Sequence, residues 1–145
     1  MIEQRARELV AALRSGDYKQ GHNLLCRLFP DGTKTWCCLG VACDLGIKAG
    51  LSIDLSQSGE YAWADGGDES TYRKISFNGA DGLLDDVTMA YFGFKTRSGE
   101  SDRELEWGSD EDGTLRSSYS LAGANDGGAT FTQIADFIEA NWAKL

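Results

Sequence analysis

The sequence is poor in the residues that metal centres, disulfide frameworks and membrane spans require. It has one histidine, one proline and four cysteines in 145 residues, and no apolar run near the about 20 residues that cross a bilayer. Residues 1–16 alternate charged residues with Leu and Val, which is not typical of a signal peptide. We therefore expect a protein of the cytoplasm, without membrane contact, whose thiols are free.

Basic residues are also scarce relative to acidic ones. The chain has 14 Lys and Arg against 23 Asp and Glu, a formal net charge of -9. Direct binding of a nucleic-acid backbone depends on clustered positive charge, so this composition disfavours it and favours a partner with a basic surface. The length predicts one domain spanning residues 1–145.

The familiar catalytic and cofactor motifs are absent. The sequence has no G-x-x-x-x-G-K-[ST], G-x-G-x-x-G, G-x-S-x-G or H-E-x-x-H. An EF-hand alignment with Gly113 at position six places Gly108 at position one and Tyr119 at position twelve, where this loop needs oxygen ligands. No cofactor is predicted.

Helical spacing predicts four helical segments. Residues 2–13 have one apolar face. Residues 38–49 are apolar nearly all round, which is typical of a buried central helix, and Asp44 and Lys48 are expected to pair at its solvent-exposed edge. A short helix at about 85–92 is expected to pack Val87, Met89 or Ala90, and Phe92. The last helix begins at Thr130, which forms a capping-box pattern with Gln133.

Two hairpins are predicted between these helices. The first turns at Asp31-Gly32, and a two-residue loop there would place Cys26 directly opposite Cys37. The second joins EYAWA to TYRKISF. Residues 98–113 are acidic and polar, and we expect a long surface excursion. The predicted fold class is a single α+β domain, with N- and C-terminal helices packed on a buried central helix beside two antiparallel hairpins.

The stretch TWCCLGVACDLG raises the question of what its thiols do. A zinc site would draw on His22, Cys26, Cys37, Cys38 and Cys43, but adjacent Cys37 and Cys38 would point to opposite faces, so we expect core residues and no metal. A second hypothesis is a cysteine hydrolase. Cys38 would lie at a helix N-terminus, which lowers a thiol pKa, and His22 would be its base.

Motifs at both ends of the chain, ALRSGDYKQG, WCCLGVACDLG and SLAGANDGGATFTQIADFIE, resemble a family of small uncharacterised proteins of tailed bacteriophages. His22 and Cys26 lie outside the shared pattern. The resemblance implies a phage product acting in the cytoplasm of the host bacterium, and no established activity accompanies it. The matching positions are Gln20, Gly21, Cys37, Cys38, Leu39, Gly40, Val41, Asn125 and Asp126.

The first functional hypothesis is a non-enzymatic inhibitor of a bacterial defence component. An acidic surface would cover a basic surface of a host protein. Its candidate partner-binding residues are Glu104, Glu106, Trp107, Asp110, Glu111 and Asp112.

The alternative is sequestration of a nucleotide-type signal in a pocket or a homo-oligomer interface. Trp36, Trp63 or Trp107 would stack on a base, while Arg27, Lys34, Arg73 or Lys74 would accept phosphates. Asn125 and Asp126 either contact such a ligand or close a turn through local bonds. The candidate ligand-binding residues are Gln20, Arg27, Lys34, Trp36, Asn125 and Asp126.

Overall fold

The computed structural model describes residues 1–65 and 68–145, with side chains described outside residues 59–71. It confirms the α+β class, with helices packed beside two antiparallel sheets. In chain order the elements are α1 (Glu3–Arg14), β1 (Cys26–Leu28), β2 (Lys34–Trp36), α2 (Cys38–Lys48), β3 (Leu55–Asp65), β4 (Asp68–Phe77), α3 (Asp86–Phe92), β5 (Glu100–Ser109), β6 (Leu115–Ser120), α4 (Leu121–Asp126), α5 (Phe131–Asn141) and a 3₁₀ turn (Trp142–Lys144).

The two predicted hairpins join into one four-stranded antiparallel sheet with the order β2-β1-β4-β3. In the first hairpin Cys26 pairs with Trp36, so the prediction that Cys26 lies opposite Cys37 is wrong. The reason is the loop, which covers residues 29–33 and is closed by the Phe29 N–H donating to the Thr33 carbonyl at 2.9 Å. Cys37 lies beyond the strand, where it caps α2.

The central helix α2 is buried along most of its length, as its composition predicts. Its N-cap is Cys37, whose sulfur accepts a hydrogen bond from the Gly40 N–H at 3.4 Å. A Cβ at Gly40 would lie 1.8 Å from the Leu25 carbonyl oxygen, so glycine allows the helix to lie directly against the backbone that leads into β1. The predicted ion pair between Asp44 and Lys48 is confirmed at 2.8 Å.

The first and last helices pack against each other, and α1 also packs on α2. Helix α5 begins with the predicted capping box of Thr130 and Gln133. On the outer surface Arg14 of α1 pairs with Asp136 and Glu139 of α5. Within residues 1–65 and 68–145, no helix has the length and apolar content needed to cross a bilayer.

The short helix α3 is where predicted, but its packing differs in one position. The Asp85 side chain caps it by accepting hydrogen bonds from the N–H groups of Val87 and Thr88. Phe92 is fully buried as expected, whereas Val87 is 41% exposed, so its predicted packing is wrong. Thr88 takes the buried position because its hydroxyl donates to the Asp85 carboxylate at 2.5 Å.

The segment predicted as a surface excursion is an ordered β-hairpin. Strands β5 and β6 form a separate two-stranded sheet, and residues 110–114 make the turn between them. Asp110 N–H donates to the Thr114 carbonyl at 2.8 Å, and Gly113 closes the turn with a φ of 84°. The short helix α4 that follows is a further element that the sequence pattern does not predict.

Candidate functional site

Residues 100–120, here called the acidic ribbon, concentrate the negative charge of the molecule. They contain seven acidic side chains against Arg103 and Arg116, a net charge of -5 out of the -9 of the whole chain. The five predicted acidic residues, Glu104, Glu106, Asp110, Glu111 and Asp112, are all exposed. Leu115 and Tyr119 lie among them with 61% and 59% of their surface exposed. The ribbon thus combines dense negative charge with two large accessible side chains.

Trp107 attaches the ribbon to the domain and does not lie on its outer surface. Its indole N–H donates to the Gly127 carbonyl at 3.1 Å, and Gln133 donates to the Trp107 carbonyl at 3.3 Å. A Cβ at Gly127 would lie 2.5 Å from the indole ring, so glycine makes room for this contact. Leu105 is buried on the same strand. Both residues therefore fix the ribbon while its acids face outward.

The acids of the ribbon differ in how much protein surrounds them. Asp110 pairs with Arg116, and Glu104 accepts a hydrogen bond from Ser117. Hydrogen bonds from the N–H and hydroxyl of Thr114 lower the pKa of Asp112, so its carboxylate is charged at neutral pH. In the described part of the chain, Glu106 and Glu111 make no side-chain hydrogen bond or ion pair. These two carboxylates are available to a partner.

Two candidate ligand residues, Gln20 and Asn125, lie in a polar network between α2, α4 and the segment before β1. Gln20 donates to the Asn125 side-chain oxygen at 3.1 Å and to the Ala129 carbonyl at 2.8 Å. Its own oxygen accepts from the Phe131 N–H at 3.0 Å. Asn125 is fully buried and donates to the Gly21 carbonyl at 2.8 Å.

The same network closes the N-terminus of α2. The Asn125 side-chain oxygen accepts the Cys38 N–H at 3.2 Å, and exposed Asp126 accepts the Asn23 N–H at 2.7 Å. The prediction of a local turn at Asn125 is thereby wrong, because these hydrogen bonds reach residues about a hundred positions earlier. The side-chain donors and acceptors of Gln20 and Asn125 are already paired within the protein, so few of these atoms remain to bind a ligand.

The remaining candidate ligand residues lie on the four-stranded sheet, and Trp36 joins the network only through its backbone, which pairs with that of Gln20. Trp36 is 8% exposed and packs against Tyr18 and Phe77 with ring centroids 5.7 and 6.3 Å away, so it offers no open face to a base. Lys34 lies over Trp36, whereas Arg27 occupies the opposite face of the sheet. The side chain of Trp63 is outside the described residues. The six candidates do not form one site.

The four cysteines are buried, as the sequence predicts for small core residues. Burial raises the pKa of Cys26 to about 12 and that of Cys37 to about 11, and it raises the pKa of Cys38 well above its usual value. The Cys38 thiol donates to the Leu121 carbonyl at 3.5 Å. A sheltered, protonated thiol is a poor nucleophile, so this geometry does not favour the hydrolase hypothesis.

The single histidine is bonded to the backbone of α4. His22 is exposed, and its Nδ1–H donates to the Asn125 carbonyl at 2.8 Å, since a carbonyl can only accept. That bond assigns it to the same polar network as Gln20. In the part of the chain that the structure describes, no three His, Cys, Asp or Glu side chains are grouped closely enough to hold a metal ion.

These features define a small α+β protein that carries an exposed acidic ribbon and a buried polar network joining distant parts of the chain. The chain belongs to the family described as domain of unknown function DUF8296, whose model matches residues 1–142. No curated protein matches the chain, and neither does any solved structure.

Proposed function

We propose that this is a phage-encoded, non-enzymatic binding protein that inhibits a bacterial defence component by laying the acidic ribbon over a basic surface. The observation that carries the proposal is the ribbon itself, which has a net charge of -5 in 21 residues, all of them exposed or half-exposed except Leu105. Phage origin and action in the host cytoplasm rest on the resemblance of the terminal motifs.

The charge of the ribbon suits rapid capture of a partner. A surface with one sign of charge attracts an oppositely charged surface over a Debye length, about 8–10 Å at ordinary salt, and raises the association rate. Rim charges of this kind act on encounter and specificity more than on final affinity. A basic surface that normally meets nucleic acid is the complementary target, and blocking it would inhibit its owner.

Tyr119 and Leu115 provide apolar contact area, which the charged side chains of the ribbon do not. Interfaces gain most of their free energy from a few large side chains that become desolvated, and tyrosine is among the most frequent of them. Both residues are more than half exposed on β6, with Leu115 directly after the acidic turn and Tyr119 near the other end of the strand. We expect them to form the apolar centre of the interface, with the carboxylates around it.

The test compares two variants of equal charge. One carries Asp110→Asn, Glu111→Gln and Asp112→Asn in the ribbon, and the control carries Glu3→Gln, Asp17→Asn and Asp54→Asn at exposed positions elsewhere. Tagged proteins are purified from the bacterial host at low salt, and each co-purifying protein is then titrated as a pure component. The proposal expects the control to associate with it as fast as the unmodified protein does and the ribbon variant to associate at least tenfold more slowly at low salt. Equal association rates for all three proteins would overturn it.

A further inference from the structure

Four polar residues form a line across the four-stranded sheet, on the face opposite Cys26 and Trp36. Arg27 of β1 pairs with Thr35 of β2 on one side and with Lys74 of β4 on the other, and Lys74 pairs with Ser58 of β3. Directly opposed residues of antiparallel strands point to the same face, about 4.5–5.5 Å apart. This basic row therefore places two cations side by side between two hydroxyl groups.

Among the described residues, Arg27 has no ion pair with a carboxylate, whereas most other Lys and Arg side chains do. Arg5, Arg7, Arg14, Arg97 and Arg116 each pair with a carboxylate. Arg27 is half-buried, its guanidinium lies 4.8 Å from the centre of the Tyr72 ring, and its buried Nε has no acceptor. Among the described residues, no carboxylate or carbonyl accepts a hydrogen bond from it.

Two features of the basic row are energetically unfavourable for the folded protein. Like charges placed directly opposite each other on neighbouring strands repel, and Lys74 is compensated by Asp81, whereas Arg27 has no such group. The Ser58 hydroxyl is also buried without a partner. Polar groups left unsatisfied in this way are uncommon in native proteins, and local rules of this kind are broken chiefly at functional sites.

We propose that the basic row binds the phosphoryl group of a small phosphate ester. Arg27 presents a planar fork that fits two phosphoryl oxygens, and its stacking on Tyr72 fixes the plane of the fork. Lys74, which pairs with Asp81, carries a second positive charge beside Arg27. The terminal Nη atoms of Arg27 are the donors that a ligand would meet, because the Arg27 Nε, the Ser58 hydroxyl and Thr35 are buried. The ligand would offset the repulsion between Arg27 and Lys74. This site is separate from the acidic ribbon.

The experiment is a titration of the whole protein, in phosphate-free chloride buffer, with inorganic phosphate and with AMP as probes. Binding is followed by backbone amide NMR shifts and by the unfolding temperature. The variant is Arg27→Gln, and the matched control is Arg103→Gln, which removes one exposed arginine of the ribbon that likewise has no ion pair in the described part. Tighter binding of AMP than of phosphate supports an ester as the ligand, whereas equal or weaker binding of AMP contradicts it and leaves a site for the free ion.

The proposal expects saturable shifts at the amides of the four row residues, unchanged affinity in Arg103→Gln, and at least tenfold weaker binding in Arg27→Gln. If Arg27→Gln fails to fold, Arg27→Lys replaces it, and its loss of the fork should weaken binding while charge is retained. Absence of saturable shifts in the unmodified protein overturns the proposal. Equal weakening by Arg27→Gln and Arg103→Gln overturns it as well, since net charge alone would then explain the effect.

Discussion

At the scale of single residues, Asn125 is the side chain on which most separate segments depend. Its amide joins α4 to Gln20, to the Gly21 carbonyl and to the Cys38 N–H. Asn125→Ala would leave buried donors and acceptors unpaired, and we expect a loss of about 2 kcal/mol or more in unfolding free energy. Urea unfolding measures it, with Asn141→Ala as the control because that amide bonds one local carbonyl. Equal losses in the two variants would contradict this role.

The buried thiols predict how stability changes at alkaline pH. Burial raises the pKa of Cys26 from 9.0 to about 12, so the unfolded chain loses this proton first as pH rises. The contribution of the protonated Cys26 thiol to the unfolding free energy is complete below pH 9. It declines between pH 9 and 12 by roughly 1.4 kcal/mol per pH unit for one thiol. Urea titrations across this range should show a shallower decline for Cys26→Ala. A decline as steep as that of the unmodified protein would contradict the assignment.

At the scale of elements, the sequence predicts α2 and α5 well because each pattern repeats at helical spacing with a cap at its start. It fails for β5 and β6, whose charged residues hide the alternation, and only Leu105 is buried there. It also fails for α4, because SLAGANDGG has the composition of a turn. The acids of the candidate site are predictable, but the inward orientation of Trp107 depends on its distant contact with Gly127.

The contact between α2 and the segment before β1 depends on the absence of a side chain at position 40. Gly40→Ala would push a methyl group into the Leu25 carbonyl, and we expect a loss of about 3 kcal/mol, the upper part of the range for overpacked cores. Chemical denaturation measures it. Gly82→Ala is the control, since a Cβ there would lie 3.5 Å from the nearest atom, an ordinary contact. Similar effects at both positions would refute the close packing.

The ribbon is the element on which association with a partner should depend. The triple change Asp110→Asn, Glu111→Gln and Asp112→Asn removes exposed charges, which contribute little to stability, so unfolding should change by less than about 1 kcal/mol. Association with the co-purified partner should slow, and its dependence on salt should become shallower, because charges at the edge of an interface act on encounter. Stopped-flow mixing at two salt concentrations measures both. Unchanged rates at low and high salt would remove the electrostatic mechanism.

At the scale of the whole molecule, contacts between the two ends of the chain predict one cooperative transition. Helix α1 packs on α5, and the polar network joins residues 20–38 to residues 121–131. Tryptophan fluorescence, which reports on all four tryptophans, among them Trp36 in the core and Trp107 in the ribbon, should therefore change at the same urea concentration as far-ultraviolet circular dichroism. Separate midpoints would show that the ribbon unfolds independently of the domain.

The Asn125 network also bears on how the protein is made. Its bonds to Gly21 and Cys38 span 104 and 87 residues. A ribosome adds residues from the N-terminus, so α2 emerges long before the amide that satisfies its first turn. Until α4 has been synthesised, residues 38–48 lack both the Asn125 oxygen that accepts the Cys38 N–H and the Leu121 carbonyl that accepts the Cys38 thiol. Because a helix of this length is marginal on its own, we expect α2 to complete its packing only after most of the chain has left the ribosome.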